Sequence, residues 1–344
     1  MGWSCSYTPL ELIYAAGFQP FRIDGHSNPV KSADSYIHPN ICQFVKSTID
    51  IAIEGGYNFL KGVIFVKSCD AMRRLHDVWK RYIPSKFIYF LNLPKGYSSL
   101  GANHLRREFE KLRIALETFT SHEIQDESIE EAIDLFAESR LLFNSLNSLR
   151  VKNPPQISGE EIIRIASNFF KSNPITWNER IKVLLEKNGE KSSISLKNNQ
   201  SRILLSGSPI HDTNFISFIE NCGFNVIYED LCTGSKFFDL KINKSKDLLG
   251  DLSEAYLYKA PCARMMQIEE RANQIFDLSK KFNTDGVIHF SLKFCDPYLF
   301  DVPKLKELLI EKGLNVLFLE SEGTLGSIDQ MKTRIEAFSE MLKN

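Results

Sequence analysis

The sequence predicts an α/β protein with two Rossmann-like (flavodoxin-like) parallel-sheet domains joined by a helical segment. Three observations carry this. Short apolar runs bounded by Gly, Pro, Asn or Asp alternate with amphipathic stretches in residues 1–100 and again in 200–344. Residues 101–199 carry almost purely helical periodicity. The stretch DGVIHFSLKFCDPYLFDVPKLKELLIEKGLNVLFL, residues 285–319, reads as one complete strand–helix–strand unit, whose crossover should be right-handed. The expected units are therefore 1–100, 101–199 and 200–344.

Taken in order, Thr8-Pro9-Leu10-Glu11 has the form of a capping box before the helix ELIYAAG, which stops at Gly17. Phe18 to Ile23 reads as the first strand. Residues 24–38 read as loop, and His38-Pro39-Asn40 opens a helix that places Cys42 in its first turn. Leu60–Val66 is a buried strand, Ser68-Cys69-Asp70 follows it, and AMRRLHDVWKRY is the next helix. Phe87–Leu93 is a further strand. Four helices then run to residue 187, the third capped by Ser158 with Glu161 three residues on. The polar run at 187–201 reads as an exposed linker. In the last third, ILLSG and Asn225–Tyr228 are strands around a helix capped by Asp212. Gly286–Phe290 and Leu314–Leu319 are strands around a helix that Asp301 caps, with Pro303 early in it. A final helix is capped by Ser327 with Gln330.

The chain has 344 residues, 43% apolar and 25% charged, which suits about two domains with a real core. A net charge of −1 gives no electrostatic case for binding nucleic acid or an anionic membrane. No run approaches the roughly 18–20 apolar residues of a membrane-spanning helix. The amino-terminal stretch lacks a basic region and carries Glu11 within its apolar residues, unlike a signal peptide. The expectation is a cytoplasmic protein.

The chemistry-bearing residues are seven cysteines: Cys5, Cys42, Cys69, Cys222, Cys232, Cys262 and Cys295. An odd count at wide spacing argues against a disulfide framework, and no CxxC pair marks a zinc ribbon. Buried, inert thiols are the ordinary reading. Six of them, however, lie near a turn, a cap or the carboxyl end of a strand, where α/β sheets bind their ligands. A helix amino terminus adds unpaired N–H groups and partial positive charge, which favour a thiolate or an anionic cluster. Cys42 and Cys69 meet that condition best, and a shared metal site is one reading of the set. Cys222 falls in the last turn of a helix and reads as packing. His289, alternating within a strand, reads as core, His76 as surface, and Glu320 and Glu322 as site carboxylates or solvated loop. Gly207-Ser208-Pro209 lacks the dinucleotide fingerprint, and HExxH and GxSxG are absent.

The ordered set of motifs resembles a known family. CSYTP with ELIYAAGFQPFR, HPNICQF, SCDAMRRLHDVW, EDLCTGS, APCARM, KFCDPY and the end LES…DQMKTRIEAFSEML together resemble the 2-hydroxyacyl-CoA dehydratase and benzoyl-CoA reductase subunits with their double-cubane-cluster relatives. The resemblance implies an iron–sulfur cluster held by cysteines between two α/β domains, and a separate ATP-hydrolysing iron–sulfur activator that supplies low-potential electrons. In the dehydratases it implies a four-iron cubane, [4Fe-4S], with three cysteine ligands, and radical dehydration through a ketyl. In the double-cubane branch it implies an [8Fe-9S] cluster on six cysteines in a homodimer that reduces small molecules. Six cysteines at matching motifs favour the second branch. The resemblance makes Cys5, Cys42, Cys69, Cys232, Cys262 and Cys295 the expected metal ligands. The expected activity is an ATP-activator-dependent iron–sulfur reductase of a small-molecule substrate. The alternatives are a [4Fe-4S] subunit of a 2-hydroxyacyl-CoA dehydratase (a lyase) or of a benzoyl-CoA-type reductase, and an electron-relay or scaffold subunit.

Overall fold

The computed structural model describes residues 1–25, 28–188, 200–210, 212–322 and 328–343. It contains two four-stranded parallel sheets. The first is formed by β1 (Gly2–Trp3), β2 (Phe21–Arg22), β3 (Val63–Val66) and β4 (Ile88–Leu91), in the order β2-β1-β3-β4. The second is formed by β5 (Ser201–Gly207), β6 (Phe224–Asp230), β7 (Gly286–Leu292) and β8 (Val316–Ser321), in the order β6-β5-β7-β8. Both orders are the flavodoxin-like 2-1-3-4, so each sheet has a switch point between its first and third strands, beyond whose carboxyl ends a ligand crevice is expected.

The inner strands β3, β5 and β7 are buried on both faces, which is why they are mainly apolar. Alternation sends Ile64 and Val66 into one core and Val63 and Phe65 into another. The second core also takes Ile203 and Leu205 from β5 and Ile288 and Phe290 from β7, so the two halves share one apolar interior. Gly207 sits at φ +129°, and a Cβ there would lie 1.8 Å from the Phe290 carbonyl oxygen; only glycine lets β5 leave the sheet beside β7.

The helical segment consists of α4 (Ser99–Thr120), α5 (Asp126–Val151), α6 (Gly159–Phe169) and α7 (Pro174–Asn188). It is not an external spacer. α5 packs on α1 (Leu10–Ala15) and on α9 (Ser235–Phe238), and α4 packs on α10 (Leu248–Tyr258). The remaining helices are α2 (Gln43–Ile53), α3 (Asp70–Tyr82), α8 (Thr213–Asn221), α11 (Ile268–Lys281), α12 (Asp296–Glu311) and α13 (Ile328–Lys343).

Several boundaries differ from expectation. The first strand is Gly2–Trp3, paired with β2 and β3, and the expected Phe18–Ile23 strand contracts to Phe21–Arg22; pairing with the two residues of β1, not local pattern, selects so short a strand. Thr8 does not cap α1. Its hydroxyl is buried without a partner, while the Leu10 N–H donates to the Tyr256 hydroxyl (3.2 Å) and Glu11 accepts from Arg140 (2.5 Å) and Tyr256 (2.8 Å). Helix α12 begins at Asp296, with Pro297 in its first turn and Pro303 inside it; Asp301 pairs with Arg271 and caps nothing. Helices α9 and α10 fill a stretch whose pattern is indistinct in the sequence. Ser158 and Asp212 do cap α6 and α8 (3.1 and 2.9 Å). Most of the expected linker and the Ser327 cap lie outside the described residues.

Candidate metal centre

Each of the six singled-out cysteines is delivered by an element end. Cys5 follows β1 in a turn closed by the Thr8 N–H on the Cys5 carbonyl (2.8 Å). Cys69, beyond β3, is the N-cap of α3; α2 starts at Gln43, later than the expected opening at His38-Pro39-Asn40, so Cys42 is its N-cap and not a residue of its first turn. Cys232 follows β6 in a turn closed by Gly234 on Leu231 (3.0 Å). Cys262 precedes a short 3₁₀ turn, Ala263–Met265, after α10. Cys295 follows β7 as the N-cap of α12, turned there by Phe294 at φ +61°. The switch points of the two sheets thus contribute Cys5 with Cys69, and Ser208 with Cys295.

These six side chains line one cavity of about 90 Å³, whose other walls are largely apolar, including Val45, Met72 and Leu292. Cys222, the C-cap of α8, does not reach it and packs on the apolar core. Among the described residues no three His, Cys, Asp or Glu groups converge as a single-ion site requires. The six sulfurs are distributed round the wall instead, an arrangement suited to a larger group that meets different thiols at different atoms.

Two opposed effects act on the thiols. Burial pushes Cys5 up to about 11 and Cys42 up to about 12, and raises Cys69 and Cys295 as well. Against this, backbone N–H groups favour the thiolate: Tyr7 toward Cys5, Val45 toward Cys42, Met72 toward Cys69 and Tyr298 toward Cys295. None of the three N-cap sulfurs makes a full capping hydrogen bond; the Val45 and Tyr298 amides donate to the Cys42 and Cys295 carbonyls (3.0 Å each) and would be shared with an anionic sulfur. Ser68 and Ser208 act the same way on Cys69 and Cys295. Cys5, Cys42, Cys69 and Cys295 are therefore protonated at neutral pH until something displaces the protons, as a metal does.

Cations missed in the sequence stand at the cavity, Arg22 and Arg264 on its wall and Lys259 beside it. Arg22, 1% exposed, donates to the Cys232 carbonyl (2.7 Å) and toward its sulfur (3.6 Å), and lies between the rings of Trp3 and Phe170. Lys259 donates to the Ser6 carbonyl and stands 4.1 Å from the Tyr7 ring centroid. Arg264 holds the carbonyls of Lys67 (3.0 Å), Leu93 (2.7 Å) and Pro94. A lysine and an arginine inside the aromatic and apolar run YLYKAPCARMM, flanking a cysteine, were the available signal. Tyr298 brings its hydroxyl to 4.0 Å from the Cys262 sulfur.

A second, open cleft of about 550 Å³ adjoins the cavity and shares Ser68, Cys69, Arg264 and Pro297 with it. Lys67, Arg73 and Lys95 give it positive charge, Asp70, Asp296 and Asp301 negative charge, and exposed Phe300 and Met266 an apolar edge. The other marked residues stay outside. His76 stacks on Phe90, and Glu322 pairs with Lys293 at the surface. His289 is fully buried, with both ring nitrogens unpartnered. Among the described residues no helix is long and apolar enough to cross a membrane.

The chain is similar to curated proteins along nearly its whole length. It is 24% identical over 339 residues to the (R)-phenyllactyl-CoA dehydratase beta subunit of Clostridium sporogenes, covering 98% of this chain and 90% of that one. It is 23% identical over 345 residues to one of the benzoyl-CoA reductase subunits of Thauera aromatica, covering 98% and 89%. The (R)-2-hydroxyglutaryl-CoA dehydratase beta subunit of Acidaminococcus fermentans is 23% identical over 359 residues, covering 98% and 90%. The family model "2-hydroxyglutaryl-CoA dehydratase, D-component" matches residues 5–342, from the first cavity cysteine to the last helix, and the chain belongs to that family of dehydratase and reductase subunits.

Proposed function

We propose that this chain is an iron–sulfur reductase whose cavity holds a double-cubane [8Fe-9S] cluster on Cys5, Cys42, Cys69, Cys232, Cys262 and Cys295. The observation that carries the reading is that these six thiols, and not Cys222, line one cavity. Unpartnered buried atoms on its wall, Ser4 Oγ, Arg22 Nε and Arg264 Nε, fit a polar, anionic occupant. When bound, such a group supplies electrons at low potential. The chain's own residues hold the thiolates through helix-terminal amides, exclude water with apolar side chains and admit a small substrate through the adjoining cleft. Lys67, Arg73 and Lys95 there suit an anionic substrate, with Phe300 and Met266 against its apolar part. The working form is a homodimer that receives electrons from an ATP-hydrolysing iron–sulfur activator, and it works in the cytoplasm.

A second reading is favoured by the relatives' names: they are subunits of dehydratases and of a reductase acting on CoA thioesters. On that reading the chain carries a [4Fe-4S] cluster on some of these cysteines beside a different, homologous subunit. Iron and sulfide analysis of anaerobically purified protein, with electron paramagnetic resonance, separates the two. About eight irons per chain supports the first and about four the second. Iron absent after anaerobic reconstitution overturns both.

A further inference from the structure

Lys259, Arg22 and Arg264 share an anomaly. Arg22 and Arg264 are buried on the wall of the thiol cavity, Lys259 is half-buried against the Tyr7 ring and the Ser6 carbonyl beside it, and among the described residues none has a carboxylate within ion-pairing distance. Elsewhere in this molecule buried cations are matched: Arg140 with Glu11, Arg150 with Glu229, Lys236 with Asp230 and Arg271 with Asp301. Around the cavity the partners are uncharged: the carbonyl oxygens of Ser6, Cys232, Lys67, Leu93 and Pro94, the sulfurs of Cys232 and Met265, and the faces of Trp3, Phe170, Tyr7 and Tyr256. Neutral partners do not compensate a buried charge, and leaving one uncompensated costs several kcal/mol or more. Two such cations on one wall, with Lys259 beside them, call for a compensating anion inside the cavity.

We propose that Arg22, Lys259 and Arg264 are the dedicated counter-charges of the anionic group held by the six cysteines, and that they set how readily that group accepts an electron. The proposal rests on the cluster reading for the identity of the anion, whereas the need for an anion follows from the unmatched cations themselves. Three fixed positive charges at a low-dielectric wall favour the more negative, reduced form of whatever lies between them. They are positioning residues: they touch the thiol-bearing loops through Ser6, Cys232 and the ends of β3 and β4.

The test compares charge-removing Lys259→Met and Arg22→Met with charge-keeping Lys259→Arg and Arg22→Lys, all purified anaerobically as full-length protein. The readouts are iron and sulfide content and the midpoint potential from an electron paramagnetic resonance titration. The neutral variants should lose iron. Where iron is retained, their ratio of reduced to oxidised group at a fixed potential should fall at least tenfold, about 59 mV for a one-electron couple. The charge-keeping variants should stay near wild type. Neutral variants with unchanged iron and unchanged potential overturn the proposal. If wild type itself holds no iron, the cluster reading fails while this proposal is still decided by thermal melting. An unmatched buried cation destabilises metal-free protein, so Arg22→Met should melt above wild type there, and an equal or lower melting temperature overturns it.

Discussion

The two sheets have the same strand order and different builds. In the second, β5, β6 and β7 each run seven residues, and long ladders hold the loops carrying Cys232 and Cys295. In the first, β1 and β2 are two residues each, too short to hold anything by backbone pairing alone. Side chains do that work instead, and most of them come from the far half or the helical segment. Arg264 ties down the ends of β3 and β4, Arg22 reaches across to Cys232, and Tyr256 with Arg140 anchors α1 through Glu11. The lesson is that one topology can present cysteines by a sheet or by a network. The networked half should be the more fragile.

The comparison breaks most completely at the cysteines. Cys69→Ser from the first sheet and Cys295→Ser from the second should each abolish most iron binding, while Cys222→Ser leaves iron content at the wild-type level. Equal loss from both sheets is the expected result, and retention by either would show that its sheet is not part of the centre. Next in size is Glu11→Ala. It leaves Arg140 buried without its carboxylate and removes the acceptor of Tyr256, so a loss of about 3–5 kcal/mol is expected in denaturant unfolding. Hydrogen exchange should locate the weakening in α1 and the Cys5 turn, with β5–β7 still protected.

The second sheet has its own weak point, at low pH. Burial first, then Arg271 and Lys236, hold His289 down at about 3 against an ordinary 6.5. The folded protein therefore keeps His289 neutral while the unfolded chain takes up a proton below about 6.5. Stability from this residue is present above 6.5 and is lost as pH falls toward 3. Metal-free protein should lose roughly 2–4 kcal/mol more than His289→Gln across that window. Parallel pH curves for the two would show that His289 is not held neutral. The smallest effect is expected at Ser158→Ala, which removes the cap of α6 and should cost about 1 kcal/mol without touching iron content.

Local signals carried much of this. Caps at Ser158 and Asp212, the buried runs of β3 and β5–β7, and the strand–helix–strand unit around Cys295 are written in neighbouring residues, because helix ends and strand periodicity are short-range physics. Six cysteines at element ends were legible for the same reason. Where the sequence misled, a distant partner had overridden a local preference. Thr8 looks like a cap until Tyr256 takes its place, Asp301 until Arg271 claims it, and Phe18–Ile23 like a full strand until pairing keeps only two residues of it.

By itself, then, the sequence determined the fold class, the element ends and the residue types able to hold a metal, since each depends on contacts along a few residues of chain. Only the tertiary structure decided that six scattered thiols face one cavity, that Cys222 does not, and that three cations without carboxylates stand around it. Those facts depend on which strands pair across the switch points and on where burial withdraws water. Both are set by contacts between residues far apart in the chain.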